Sequence, residues 1–119
     1  MTETRWRFPV RMRIRQPSDF KLAYSNGVRE DAGGVIVYAR PNGLSFPRLG
    51  ISIGRRAGDA VQRNRFKRLL REVFRLNQHG IGAGLDLVVV VRPHRERPID
   101  DYRAIVLSAA RRGRDRILP

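Results

Sequence analysis

Basic side chains that can bind phosphate are concentrated between Arg55 and Arg75, where eight arginines and lysines are opposed only by Asp59 and Glu72. Surface helices normally mix both signs, because basic and acidic side chains four residues apart stabilise each other. An excess of one sign repels itself until an anion binds. The arginine guanidinium group pairs with phosphate through two N–H donors. This stretch therefore predicts a surface that binds phosphodiester backbone, with strongly salt-dependent affinity.

The sequence offers little material for catalysis by the protein itself. His79 and His94 are the only histidines, and neither has a carboxylate or a second histidine at the spacing of metal ligands. The paired carboxylates at 30–31 and 100–101 point to different sides of a strand or helix, so neither pair forms a two-metal site. We therefore predict no catalytic residues, no metal-binding residues, and solvent-exposed loop positions for both histidines.

Length and composition favour one globular domain of 119 residues with a formal net charge of +14. The absence of cysteine excludes disulfides and thiolate chemistry and is compatible with a reducing cytosol. The longest apolar run, residues 87–91, is far shorter than the roughly 20 residues of a membrane span. These features predict a cytoplasmic protein that does not insert into a membrane.

Hydrophobic periodicity and turn residues predict the order of the elements. We expect a short helix capped by Ser18, strands at 34–40 and 49–54, a helix at 60–77, a glycine turn at 80–84, a strand at 85–91 and a last helix from Pro98. The Leu-Val-rich strand at 85–91 is typical of burial on both faces, next to a parallel partner. The single domain spans 1–119, with a core at about 11–110, a flexible basic arm at 1–11 and a flexible tail at 111–119.

The helix at 60–77 has the clearest register. Asp59 and Gln62 have the spacing of a capping box. At 100° per residue the apolar side chains gather on one side (Phe66, Leu69, Leu70, Val73, Phe74 and Leu76), and the polar ones gather on the other (Asn64, Lys67, Arg68, Arg71 and Arg75). A basic amphipathic helix can also bind a membrane surface. Nucleic acid is favoured here, because the apolar side is needed to cover the strands.

Residues 60–75, AVQRNRFKRLLREVFR, resemble the Arg-Asn-Arg helix of the bacterial ribonuclease P protein subunit family. Residues 49–56 resemble the strand and basic turn before that helix. The stretches 13–15 and 19–27 resemble the segment around the family's first helix, and 86–92 resembles its last core strand. The resemblance runs in order over about residues 11–110, which makes it far more specific than the tripeptide alone.

The resemblance implies an α+β fold, a two-layer α/β sandwich like the second domain of ribosomal protein S5. The connection through the Arg-Asn-Arg helix would be a left-handed βαβ crossover. General rules favour the right-handed connection, so this detail rests wholly on the resemblance.

The resemblance also implies a function, which is to assist a catalytic RNA subunit in the endonucleolytic removal of the 5′ leader from precursor transfer RNA. The partners would be the ribonuclease P RNA and the leader, in the cytoplasm, with Mg²⁺ acting through the RNA and no obligate protein partner. The residues implied to bind the RNA subunit are Arg55, Arg56, Arg63, Asn64, Arg65, Lys67, Arg68 and Arg71. Those implied to bind the leader are Phe20, Tyr24 and Tyr38, with Tyr24 departing from the family's more usual phenylalanine.

Two alternatives stay open at this point. The chain can be a structural RNA-binding protein, such as a ribosomal protein, which would need no leader cleft. A protein-only nuclease would require a carboxylate or histidine cluster, and inactivating mutations at Asp59 or Glu72 would point to one. The aromatic residues likewise have a simpler interpretation, as core residues between helix and sheet.

Overall fold

The computed structural model describes residues 7–117 and contains a four-stranded mixed sheet in the order β1-β2-β4-β3. The strands are β1 (Val28–Asp31), β2 (Val35–Pro41), β3 (Arg48–Ile53) and β4 (Leu85–Val91). The helices are α1 (Pro17–Asn26), α2 (Ala60–Leu76), the short α3 (Gln78–Ile81) and α4 (Ile99–Ile117). The mixed α+β class that the family resemblance implies is confirmed.

The apolar strand β4 lies inside the sheet because its side chains can be buried on both faces. It pairs antiparallel with β2, with Val37 opposite Val89, and parallel with β3, with Ile51 opposite Val89. The chain reaches β4 from β3 through α2 and α3. The predicted burial of this strand and its parallel partner are both confirmed.

The main core lies between one face of the sheet and the helices α2 and α4. From α2, Phe66, Leu70, Val73 and Phe74 are buried in it, as the register predicts, whereas Leu76 is 51% exposed because it lies at the end of the helix. Val88, with the opposite orientation on β4, joins Ile14 and Ala23 in a second cluster. Helix α1 therefore packs on the second face of the sheet, opposite α2 and α4.

The structure differs from the sequence predictions at three places: strand β1 was not predicted, and the predictions for the glycine turn and for the helix cap are wrong. Strand β1 is mostly polar, and it forms because it pairs with β2 and because Glu30 accepts hydrogen bonds from Ser108 and Arg112 of α4. The glycine turn instead begins with α3, since Ile81 is fully buried. Helix α1 starts with Pro17 after Gln16, and Ser18 is not its cap.

The predicted flexible ends also differ from the structure where it describes them. In the arm, Phe8 packs on Phe74 with ring centroids 5.1 Å apart, and Val10–Met12 forms a 3₁₀ turn. In the tail, α4 continues to Ile117, and Arg114 donates a hydrogen bond of 2.8 Å to the Gly80 carbonyl. Residues 1–6 and 118–119 of these predictions lie outside the described part.

None of the helices described between residues 7 and 117 is long and apolar enough to cross a membrane.

Candidate RNA-binding surfaces

Helix α2 presents the predicted basic surface because its start is fixed by a complete capping box. The Gln62 backbone N–H donates to Asp59 Oδ1 at 2.9 Å, and the Asp59 backbone N–H donates to Gln62 Oε1 at 3.0 Å. The cap satisfies backbone donors that the first turn leaves without intrahelical partners. With the start fixed and the apolar side in the core, the basic side faces outward.

The residues predicted to bind the RNA subunit lie on α2 and on the 3₁₀ turn Arg55–Ala57 just before it. Six of the eight side chains are exposed, and two are half-buried. The exposed ones are Arg55, Arg56, Asn64, Arg65, Arg68 and Arg71, and the half-buried ones are Arg63 and Lys67. The fold therefore brings all eight predicted residues to one helix and its leading turn.

Ion pairing leaves most of this surface electrostatically unbalanced. Among the predicted residues, Arg65 alone has an ion pair within residues 7–117, from its Nε to Glu96 Oε1 at 3.0 Å. Near the end of α2, Glu72 pairs with Arg75 at 2.5 Å, and this hydrogen bond lowers the pKa of the Glu72 carboxyl below its usual value. The open positive charge is thus concentrated upstream of Arg75.

The predicted aromatic residues form a second surface where α1 lies over the sheet. The Phe20 and Tyr24 ring centroids are 6.4 Å apart, and Tyr24 meets Tyr38 of β2 edge-on at 5.0 Å. Tyr24 is 42% exposed, while Phe20 and Tyr38 are half-buried. A Cβ at Gly50 would lie 2.9 Å from Phe20 Cζ, so the glycine lets the ring approach β3. The three residues come together with their outer parts open to solvent.

A buried ionic network, which was not predicted from the sequence, joins α1 to the sheet near this aromatic cluster. Asp86 is fully buried and accepts from Arg48 Nε at 2.8 Å, Arg48 Nη2 at 2.7 Å and Asn42 Nδ2 at 2.9 Å. Arg48 also lies 3.6 Å from Asp19 of α1, next to Phe20 in sequence. The signal available was a single aspartate inside an apolar strand, which must be paired when buried.

His94 is not the solvent-exposed loop residue that the sequence predicts. Its Nδ1 lies 2.8 Å from the Arg92 carbonyl, its Nε2 lies 2.8 Å from the Tyr102 hydroxyl, and its ring packs 5.1 Å from Phe66. A carbonyl only accepts, so Nδ1 donates. His79 is exposed but lies in α3. Both ring nitrogens of His94 therefore have structural partners.

Within residues 7–117, no three His, Asp or Glu side chains form a group that could hold a metal ion. The carboxylates cited above instead pair with arginines or cap α2. The chemistry available to these surfaces is phosphate binding by arginine and base stacking on aromatic rings.

The family profile and the curated relatives that match this chain indicate the same family. Residues 8–111 match the sequence profile of the family described as Ribonuclease P. The chain is 45% identical over 87 residues to the ribonuclease P protein component of Pseudomonas putida strain GB-1. That alignment covers 71% of this chain and 64% of the relative, so it spans less than two thirds of the relative's length.

Solved structures agree in fold. The RNase P protein from Thermotoga maritima has a TM-score of 0.72 and 33% identity, over 84% of this chain and 96% of that one. A Staphylococcus aureus RNase P protein mutant with defective mRNA degradation activity has a TM-score of 0.74 and 26% identity, over 87% of this chain and 89% of that one. On the strength of the profile match, the identity and the shared fold, this chain belongs to the ribonuclease P protein family.

Proposed function

We propose that this chain is the protein subunit of ribonuclease P, which assists a catalytic RNA in removing the 5′ leader from precursor transfer RNA. The observation that carries the proposal is the presence of two separate surfaces with different chemistry. The cationic surface belongs to α2, which covers one face of the sheet, and the aromatic cluster lies on the other face with α1. One molecule can therefore contact two RNA segments at once.

The α2 surface binds the RNA subunit in this proposal. The exposed arginines lie along a capped helix, and the neighbouring turn adds Arg55 and Arg56. Phosphate contacts of this kind fix position and orientation without selecting bases.

The aromatic cluster binds the single-stranded leader in this proposal. Aromatic rings stack unpaired bases with little sequence preference, which suits a leader that varies between precursors. Tyr24 is the most exposed of the three rings, and its hydroxyl adds a hydrogen-bonding group beside the stacked base.

The RNA subunit and its bound Mg²⁺ supply the hydrolysis, and we assign no catalytic residue to this chain. The product is transfer RNA with a 5′ phosphate. In this proposal the cleavage takes place in the cytoplasm, and the chain has no obligate protein partner. We further propose that the fold is like the second domain of ribosomal protein S5, with a left-handed crossover from β3 through α2 to β4. The adjacent parallel pairing of β3 and β4 supports a crossover connection through α2, and its left hand rests on the family resemblance alone.

Alanine variants of α2 test the docking of the RNA subunit. Arg68→Ala is expected to weaken binding and to reduce the slope of log affinity against log salt by about one unit, as loss of one phosphate contact does. Arg65→Ala is expected to have a smaller effect, because Glu96 already pairs with Arg65. Arg103→Ala on α4 is the matched control, since its exposed side chain has a similar partner in Asp100.

Salt-dependent binding to the ribonuclease P RNA, measured for each variant, decides the matter. An unchanged slope for Arg68→Ala would contradict docking through α2. Tight RNA binding with no stimulation of cleavage would favour the structural RNA-binding alternative.

A further inference from the structure

A second basic surface arises where the N-terminal segment passes along β3, the edge strand of the sheet. Residues 13–15 run beside this strand, with Arg13 bridged in parallel to Leu49 and the Ile14 amide donating to the Leu49 carbonyl at 2.9 Å. Ile14 is buried in the cluster below α1. Because side chains alternate along extended backbone, Arg13 and Arg15 extend away from that cluster.

These two arginines meet α2 across a groove of about 310 Å³. Its cationic lining comes from both segments: Arg13, Arg15, Lys67 and Arg71. Leu49 and Ile51 of β3 contribute apolar lining, and among residues 7–117 no carboxylate lines the groove. No function of Arg13 or Arg15 could be predicted from the sequence, because only the fold brings them beside α2.

The groove holds positive charge that the described residues do not neutralise. Within residues 7–117, none of its four cationic side chains forms an ion pair. Arg13 is nevertheless held in place, since its guanidinium lies 4.7 Å from the Phe8 ring centroid and its Nη2 donates to the Phe8 carbonyl at 3.2 Å. Like charges fixed around one groove repel each other until an anion occupies it.

The position of the groove indicates which anion this is. A neighbouring depression shares Phe8, Arg13 and Arg71 with the groove and continues to Asn64 and Arg68 of α2. The cationic lining is therefore continuous with the surface assigned to the RNA subunit. The aromatic cluster, assigned to the leader, lies on the other face of the sheet.

We propose that Arg13 and Arg15, together with Lys67 and Arg71, bind one stretch of the sugar–phosphate backbone of the RNA subunit. This inference rests on the proposed function and extends its docking surface from one helix to a groove between two chain segments. An RNA strand in the groove would tie the N-terminal segment to α2.

The test is salt-dependent binding of the full chain to the ribonuclease P RNA from the same genome. The double variant Arg13→Ala/Arg15→Ala is expected to lose affinity at low salt and to reduce the salt slope by about two units, or about one per lost phosphate contact. Arg15→Ala alone, which removes a side chain without a described hydrogen bond or ion pair, is expected to reduce the slope by about one unit. The lysine variant Arg13→Lys/Arg15→Lys is expected to keep most of the slope.

A charge-matched control separates this groove from the general positive charge of the protein. Arg103→Ala/Arg111→Ala removes two exposed arginines from α4, which does not line the groove. A control slope that falls as far as that of the N-terminal double variant would overturn the proposal. So would an unchanged slope for Arg15→Ala, which remains informative if the double variant is destabilised.

Precursors with long and short leaders separate the RNA subunit from the leader as the occupant. The double variant in the reconstituted holoenzyme is expected to lose the same factor on both substrates. A loss confined to the long leader would overturn the assignment and place the leader in the groove. If the unmodified chain does not bind the RNA subunit, both the proposed function and this inference are wrong. If it binds and the groove variants bind equally well, only the assignment of the groove is wrong.

Discussion

The aromatic cluster has two possible roles, as part of the core and as a surface that stacks leader bases. Phe20 is the residue whose substitution best distinguishes them. It is half-buried, packs closely over Gly50, and lies in the same cluster as Ile14 and Ala23. A ring in this position can support the fold and still offer its outer face to a base. Substitution separates the two contributions, because only the second depends on the leader.

Phe20→Ala is expected to weaken holoenzyme binding to a precursor with a long leader by roughly 1–3 kcal/mol, the usual value of one stacked base. Binding of mature transfer RNA should change little. Leu22→Ala, at an exposed position on the same helix, is the control. Equal losses for precursor and mature transfer RNA, or unfolding of the variant, would indicate that Phe20 supports the fold and does not bind the leader.

Asp86 provides the stability prediction at this scale. Asp86→Ala leaves Arg48 and Arg40 beside an empty buried position, and removing one partner of a buried pair typically costs about 3–5 kcal/mol. Urea denaturation measures this loss. Asp100→Ala, which breaks the exposed pair with Arg103, should cost less than about 1 kcal/mol. Similar small losses for both variants would contradict the importance of the buried network.

At the scale of elements, local patterns predict what local interactions determine. Helix α2 was predictable to within a residue, because its cap and its apolar periodicity lie inside the helix itself. Strand β1 and helix α3 were not predictable. Strand β1 depends on its contacts with β2 and α4, and helix α3 depends on the burial of Ile81. The site divides in the same way: the α2 arginines were visible in sequence, whereas the contact of Glu96 with Arg65 and the approach of Arg13 to α2 join distant segments.

The turn between β1 and β2 gives a pH-dependent prediction. Asp31 accepts from the Gly33 amide at 2.9 Å and from Arg92 Nη2 at 2.7 Å, and the amide hydrogen bond is the main reason that the pKa of Asp31 lies below its usual value. A lowered pKa in the folded state stabilises the protein above the unfolded pKa of about 4, and this stabilisation is lost as pH falls through the folded value.

Asp31→Asn is therefore expected to lower the melting temperature at pH 7, and the difference from the unmodified protein should shrink as pH falls below about 4. Thermal unfolding across this pH range measures it. Asp115→Asn, at an exposed position of α4, should have nearly the melting temperature of the unmodified protein across the same pH range. A deficit for Asp31→Asn that stays constant with pH would contradict the ionic contribution.

At the scale of the whole molecule, the charge of +14 and the separation of the two surfaces act together. A large positive charge accelerates encounter with RNA and makes binding salt-dependent. Charge alone does not set the geometry of the complex. The sheet does so, because α2 covers one face and α1 lies on the other. In the proposed function, two RNA segments are thus bound on opposite faces of one sheet.

Cleavage of a precursor transfer RNA at low Mg²⁺ tests this account most directly, with the protein alone, the ribonuclease P RNA alone, and both together. We expect efficient cleavage at the mature 5′ end only from the combination, because in the proposed function the RNA performs the hydrolysis and the protein strengthens substrate binding. Cleavage by the protein alone would contradict the account, and so would a combination no more active than the RNA alone.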